Sequence, residues 1–180
     1  MTLTILSRSA RRLALLVCLL LLPGTIRADT LSEDSIKAGY LLNFMKYTEW
    51  PATALSSNEF RVCSLDAQPL SGKLAGLQGR QIQGREIRIR TSVSSEAWRD
   101  CHVLFLSSEE KNHPDSVLRN LAKIPVLTVS DSADFTQAGG MIGLKLRAGR
   151  IRFNINLGAA RRAELNLSSQ LLKLADEVVQ

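Results

Sequence analysis

The chain has 180 residues and a formal net charge of +6, and four of its arginines lie in the first 28 residues, where there is no acidic residue. Removal of that stretch would leave a charge near +2, which is too small to indicate a nucleic-acid-binding protein. The remaining length of about 150 residues suits one domain with one hydrophobic core.

The first segment is typical of a signal peptide. A positive N-terminal region precedes an unbroken apolar run over residues 13–22, and small Ala28 suits the position before a cleavage site. The sequence therefore predicts a signal peptide over residues 1–28, cleavage near Ala28, and a single α/β domain over residues 29–180. An uncleaved membrane anchor is the alternative, but an apolar run of about ten residues is half the length of a membrane-spanning helix.

A helix with a large aromatic residue near its end is predicted at the start of the mature chain. Ser32 is a plausible N-cap, and apolar residues recur at helical spacing until Pro51. Trp50 lies just before Pro51 and a polar linker, an arrangement that can leave its ring partly exposed. Because aromatic residues and arginines dominate binding interfaces, Trp50 is a candidate partner-binding residue. The alternative is a core residue whose loss unfolds the protein.

Strands and helices alternate through the middle of the chain. Residues 60–65 and 87–90 are predicted strands, with a short helix over residues 70–77 between them. Two further apolar runs, 103–106 and 124–129, are of the kind buried on both faces, and a polar helix separates them. This pattern predicts an α/β fold with three layers and a mostly parallel sheet.

A hairpin and a capped helix are predicted at the C-terminal end. Residues 141–146 and 151–157 are predicted strands, joined by a tight turn at Ala148 and Gly149. Two strands joined so closely must be antiparallel. Ser168 is the predicted N-cap of the last helix.

Two cysteines, Cys63 and Cys101, remain after removal of the leader. In an oxidising compartment such a pair predicts a disulfide bridge. The bridge would close a loop of about 39 residues and stabilise the fold by about 4 kcal/mol in the chain-entropy model. The alternative is a reactive cysteine beside His102, but adjacent strand residues point to opposite faces, so that pair is geometrically poor.

The sequence lacks the residue patterns of common enzymes. His102 and His113 are too few and too scattered for a metal site, and no nucleophile elbow, zinc-protease helix or glycine-rich phosphate loop is present. Asp131 and Asp134 lie three residues apart, but their setting is interpreted as helix capping and solvation. We therefore expect a protein that is not an enzyme and that carries neither a cofactor nor a metal.

Polar residues follow two of the predicted strands, at the place where doubly wound sheets bind ligands. Asp66 follows the first strand, and Ser107 and Ser108 follow the third. The carboxyl ends of these strands would flank the topological switch of the sheet. By analogy with other folds of this class, these three residues form a candidate ligand pocket.

Arginines are dense near the end of the chain. Arg150, Arg161 and Arg162 are the candidates among them for contacting an acidic partner. The alternative is an ordinary solvated basic face.

The ordered set of motifs resembles the YfiR/HmsC family of exported bacterial proteins. The resemblance covers nearly all of the chain after residue 30. The segments that carry it are AGYLLNF (38–44), EWP (49–51), Cys63, CHVLF (101–105), LTVS (127–130), GGMI (139–142), IRFNINL (151–157) and LSSQLLKLA (167–175). No single segment is decisive, and the order of the set carries the resemblance.

This resemblance implies a periplasmic regulator. Such a protein would bind the periplasmic domain of an inner-membrane diguanylate cyclase and repress it, which lowers cyclic di-GMP and biofilm formation. The resemblance also implies that an OmpA-like outer-membrane lipoprotein relieves the repression by sequestering the regulator. The alternative function is a periplasmic small-molecule binding protein, accessory to sensing or transport. A nucleic-acid partner is not expected, and a homodimer is left open.

Overall fold

The computed structural model describes residues 32–108 and 114–180. The predicted signal peptide therefore lies outside the described residues. No helix in the described part of the chain is long and apolar enough to cross a membrane.

The helices are α1 (Glu33–Lys46), α2 (Pro114–Leu121), α3 (Leu157–Arg162) and α4 (Ser169–Leu174), and 3-10 helices span Ala52–Ala54, Pro69–Leu77 and Ser95–Asp100. The strands are β1 (Thr48–Glu49), β2 (Glu59–Ser64), β3 (Gln81–Ile82), β4 (Arg85–Arg90), β5 (Val103–Leu106), β6 (Leu127–Ser130), β7 (Ile142–Arg147), β8 (Arg150–Asn156), β9 (Asn166–Leu167) and β10 (Glu177–Val179).

The main sheet runs in the order β10-β8-β7-β6-β5-β2-β4-β3. Its central strands β4, β2, β5, β6 and β7 are parallel. The edges are antiparallel to them, since β8 pairs antiparallel with β7 and β3 with β4. The predicted α/β fold with a mostly parallel sheet and a C-terminal antiparallel hairpin is confirmed.

The chain reverses its direction of travel across the sheet at β2. It moves from β2 to β4 on one side and then crosses back to β5 on the other side of β2. The gap between β2 and β5 is therefore the topological switch, and the carboxyl ends of these two strands flank it.

Both faces of the sheet are covered, which gives the three predicted layers. In β5, Val103 and Phe105 join the core under α1, while Leu104 and Leu106 join a second core under α2. This alternation is the period of two that places successive strand residues on opposite faces.

The disulfide between Cys63 and Cys101 is present, as predicted, with a Cα–Cα distance of 6.0 Å. Both cysteines are buried in the core beneath α2. The bridge joins the end of β2 to the residues just before β5, and so ties together the two strands that flank the switch.

Local signals placed the ends of several elements correctly. The Ser32 hydroxyl accepts from the Ser35 N–H at 3.2 Å and begins α1. The Ser168 hydroxyl likewise accepts from the Leu171 N–H at 3.2 Å and begins α4. The end of α1 differs from the prediction: the helix stops at Lys46, five residues before Pro51. Chain pairing is the reason, since β1 turns away to form a separate two-stranded sheet with β9.

Candidate functional site

A polar cavity of about 630 Å³ opens at the carboxyl ends of β2 and β5. It is lined by all three residues of the predicted ligand pocket, Asp66, Ser107 and Ser108. The strand order brings these residues together although some 40 positions separate them in the sequence. We call this space the crossover cavity; its binding of a ligand stays a prediction.

An ion pair that the sequence analysis missed closes one side of the crossover cavity. Lys37 Nζ lies 2.7 Å from Asp131 Oδ2, and the two side chains are only 11% and 10% exposed. The other oxygen, Asp131 Oδ1, accepts from the Ser108 N–H at 2.7 Å. Asp131 therefore joins α1 to the loop after β5, and its interpretation as a solvated capping residue was wrong. A lysine on the same helix face as buried Leu41 and Phe44 was the available signal.

Lys37 stays protonated in this setting. Burial acts to lower the pKa of Lys37, but hydrogen bonds and charges from Asp131 and Glu33 outweigh it and hold the pKa above its ordinary value of 10.5. Glu33 Oε1 lies 2.8 Å from Lys37 Nζ, and the Glu33 side chain is 44% exposed. The protonated lysine gives the buried carboxylate of Asp131 a partner of opposite charge.

The lining of the crossover cavity is rich in carboxylates. Asp34 and Asp66 line it in addition to Glu33 and Asp131, so the carboxylates outnumber the single lysine. Asp66 Oδ1 accepts from the Gln68 N–H at 3.1 Å, which fixes the turn after β2. Within residues 32–108 and 114–180, no group of histidine, cysteine, aspartate and glutamate side chains is arranged to hold a metal ion.

Trp50 lies in the core, with 7% of its surface exposed. Its ring meets Phe60 edge-on at 4.9 Å between centroids, and its Nε1–H donates to the His102 carbonyl at 3.2 Å. The ring is thus a core side chain, as in the alternative interpretation, because β1 holds the preceding residues against β9 and turns the indole inward. A buried ring offers no surface to a partner protein, and exposure of the ring was the reason for choosing Trp50 as a candidate partner-binding residue.

His102 is a structural histidine beside Trp50. Its ring stacks on Phe60 at 4.8 Å. Nδ1 accepts from the Arg61 N–H at 2.8 Å, so the proton is on Nε2, which lies 3.0 Å from the Ala54 carbonyl oxygen. Desolvation is the main cause of a lowered pKa for His102, only partly opposed by the bond to Ala54. With Cys101 in the disulfide, no thiolate–imidazole pair forms.

The structure separates the candidate arginines into two sites. Arg150 begins β8, whereas Arg161 and Arg162 lie in the last turn of α3, which follows β8 directly. Seven strand residues span roughly 20 Å, so these arginines do not form one cluster. Arg161 Nη1 donates to Gln180 Oε1 at 3.3 Å, near the end of the chain.

Arg150 instead borders a second cavity, of about 620 Å³, between the start of α1 and the tip of the β7–β8 hairpin. We call it the hairpin groove, and its walls include Ile36, Leu146 and Arg150. Ile36 and Leu146 are unusual in being large apolar side chains that are 38% and 58% exposed.

A doubly wound, disulfide-bonded α/β domain is the class of protein that these observations define. The sequence pattern of the YfiR/HmsC-like family matches residues 34–176, and the chain belongs to that family. Membership supports a periplasmic regulatory role in the general sense.

The fold is also similar to a solved crystal structure, described as a conserved domain protein from Vibrio cholerae O1 biovar eltor. The two share 8% sequence identity with a TM-score of 0.52, over 82% of this chain and 60% of the other. The chain thus spans less than two thirds of the length of that protein. At this level of identity the similarity shows a common fold alone.

Proposed function

We propose that this protein is exported by a signal peptide over residues 1–28, cleaved near Ala28, and that it represses an inner-membrane diguanylate cyclase by binding its periplasmic domain. Lower cyclic di-GMP and reduced biofilm formation follow from that repression. The match of residues 34–176 to the YfiR/HmsC-like family is the observation that carries this proposal. The disulfide adds support, since such bridges persist in oxidising compartments.

Repression of this kind requires only differential binding. A cyclase that exchanges between active and inactive forms is held inactive by any protein that binds the inactive form more tightly. An OmpA-like outer-membrane lipoprotein would then relieve repression by competing for the same regulator. The regulator itself needs a stable, exported binding surface and no catalytic group.

Deletion of the gene tests the proposal. Cyclic di-GMP and surface attachment are expected to rise in the deletion strain and to return to the low state with the full chain. A chain without residues 1–28, made in the cytoplasm, is the matched control and is expected to leave both readouts high. Unchanged cyclic di-GMP after deletion, under all growth conditions tried, would contradict the proposal.

The crossover cavity favours a second candidate, a small-molecule binding protein accessory to sensing or transport. Asp66, Ser107 and Ser108 border one cavity at the switch of the sheet, the usual ligand site of this fold class. A panel of small amines, amino acids and sugars should then contain a compound that raises the melting temperature of the protein. Asp66→Asn should abolish that rise, and Asp115→Asn, an exposed site on α2, should not.

A further inference from the structure

Helix α1 carries an apolar stripe that is longer than the sheet surface it covers. Phe44, Tyr40 and Ile36 are spaced four residues apart and so lie on one face of the helix. Phe44 is fully buried and meets Phe153 edge-on at 5.0 Å between ring centroids. Tyr40 is half-buried, and its hydroxyl donates to the Ile151 carbonyl at 3.1 Å. Ile36, one turn further out, is 38% exposed.

The β7–β8 hairpin has a matching stripe that also extends beyond the contact. Leu144 pairs with Phe153 and Leu146 with Ile151, so these side chains project from one face of the hairpin. Leu144 is 1% exposed under the helix, whereas Leu146 is 58% exposed. The apolar stripe of α1 ends at Ile36, and that of the hairpin ends at Leu146. The hairpin groove is the space between these two ends.

Positive charge lies on the other face of the hairpin, where basic side chains alternate with the apolar stripe, and it reaches the rim of the groove at Arg150 and Arg152. Lys145, Arg147 and Arg152 share the single carboxylate of Asp176, at 3.3, 3.7 and 3.9 Å. Arg150 has no ion pair with any residue in 32–108 or 114–180 and borders the groove directly. The one acidic side chain in the lining, Glu33, is already held by Lys37 at 2.8 Å.

We propose that the hairpin groove binds an acidic amphipathic segment of a partner protein, with apolar side chains between Ile36 and Leu146 and a carboxylate on Arg150. Exposed apolar groups next to an unpaired arginine form an apolar centre with a charged rim, which is the composition of binding interfaces. Charge complementarity selects an acidic occupant. A second copy of this chain would bring two arginine-rich hairpins together, which the same argument disfavours.

This inference rests on the proposed function in one respect, because the partner it identifies is the periplasmic domain of the membrane cyclase. The acidic segment would belong to that domain. The groove would then supply the contact through which the regulator distinguishes the inactive form.

Site-specific photocrosslinking in living cells tests the groove directly. The full chain is produced with p-benzoylphenylalanine in place of Leu146, and the crosslinked peptide is identified by mass spectrometry. The same substitution at Leu174 is the matched control, since Leu174 is 64% exposed and lies outside the groove. Arg150→Glu is combined with the label at position 146, and Arg99→Glu, an exposed arginine outside the groove, is its control.

The expected adduct forms at position 146 and not at position 174, and its partner peptide is acidic and belongs to the periplasmic domain of a membrane protein. Arg150→Glu should lower the adduct yield by about tenfold, because it replaces an attraction by a repulsion, while Arg99→Glu leaves it unchanged. A partner peptide from this chain itself, equal adducts at both positions, or a yield indifferent to Arg150→Glu would each overturn the proposal.

The outcome is separable from that of the gene deletion. If position 146 crosslinks to an acidic segment of a membrane protein but deletion leaves cyclic di-GMP unchanged, the groove is a partner-binding site and the partner is not a diguanylate cyclase. If deletion raises cyclic di-GMP but position 146 gives no specific adduct, the protein represses a cyclase through a surface other than the hairpin groove.

Discussion

His102 makes the stability of this protein dependent on pH. Burial of the ring disfavours its charged form, and a protonated ring would also lose the bond that Nδ1 accepts from the Arg61 N–H and place a charge near two arginines. The folded-state pKa is therefore below the unfolded value of about 6.5. Below that pH the unfolded chain binds a proton that the folded chain does not, so stability falls.

We expect the melting temperature to be level above about pH 6.5 and to drop as the pH falls through the folded-state pKa of His102. Thermal melts in a series of buffers measure this dependence. His102→Gln should lower the overall stability and flatten that part of the profile. A profile identical in wild type and His102→Gln would contradict this account.

The contributions of Lys37 and Asp131 to stability should be strongly coupled, because each side chain neutralises the buried charge of the other. Lys37→Met alone leaves a buried carboxylate without its cation and is expected to cost about 3 kcal/mol in unfolding free energy. The double variant Lys37→Met with Asp131→Asn should recover much of that loss, since the neutral amide needs no cation and its oxygen can still accept from the Ser108 N–H. Urea denaturation of the four proteins gives the coupling energy, and additive effects of the two changes would show that the pair is not coupled.

At the scale of the element, the turn of the β7–β8 hairpin carries a residue that does not suit its backbone. Arg147 pairs with Arg150, so the loop has two residues, Ala148 and Gly149, with φ of 49° and 72°. Two successive positive φ angles define a type I′ turn, in which asparagine followed by glycine is preferred. Alanine adopts this region only at a cost, because its Cβ crowds the backbone.

Ala148→Asn is therefore expected to stabilise the protein by about 0.5–1 kcal/mol. Gly149→Ala is the opposing variant and should destabilise it, since it places a Cβ at positive φ. Chemical denaturation of both variants measures the two shifts. The turn adjoins the hairpin groove, but Ala148 is not among the residues that line it. Ala148→Asn should therefore leave the crosslink at position 146 intact.

Elements held by local signals could be predicted from the sequence, and contacts between distant elements could not. Ser32, Ser168 and the turn at Ala148 and Gly149 act within a few residues, so the pattern alone placed them. The predicted pocket residues converged because the strand order of this fold class fixes which strand ends meet.

The errors came from pairings that lie far apart in the sequence. The inward turn of Trp50 depends on β1 pairing with β9, more than a hundred residues away. The Lys37–Asp131 pair joins a helix to a strand end 94 residues later. The density of arginines near the end of the chain suggested one cluster, but the length of β8 separates Arg150 from the arginines of α3.

At the scale of the whole molecule, the disulfide between Cys63 and Cys101 crosslinks the two strands that flank the switch of the sheet. Cys63→Ser and Cys101→Ser should lower stability by similar amounts, about 4 kcal/mol each in the chain-entropy model, because each removes the same crosslink. The double variant should be no worse than either single one. Unequal losses would show that one cysteine contributes something besides the bridge.

Under the proposed function, the bridge would form in the compartment where the partner domain is expected. Intact-mass measurement of the protein released from the periplasm should give a chain that begins near Asp29 and lacks both thiol hydrogens. Alkylation before and after reduction then shows whether Cys63 and Cys101 become reactive only after reduction. A mature protein that keeps residues before Ile26 would contradict cleavage near Ala28, and labelling of both cysteines in the native, unreduced protein would show that the exported chain does not carry the bridge.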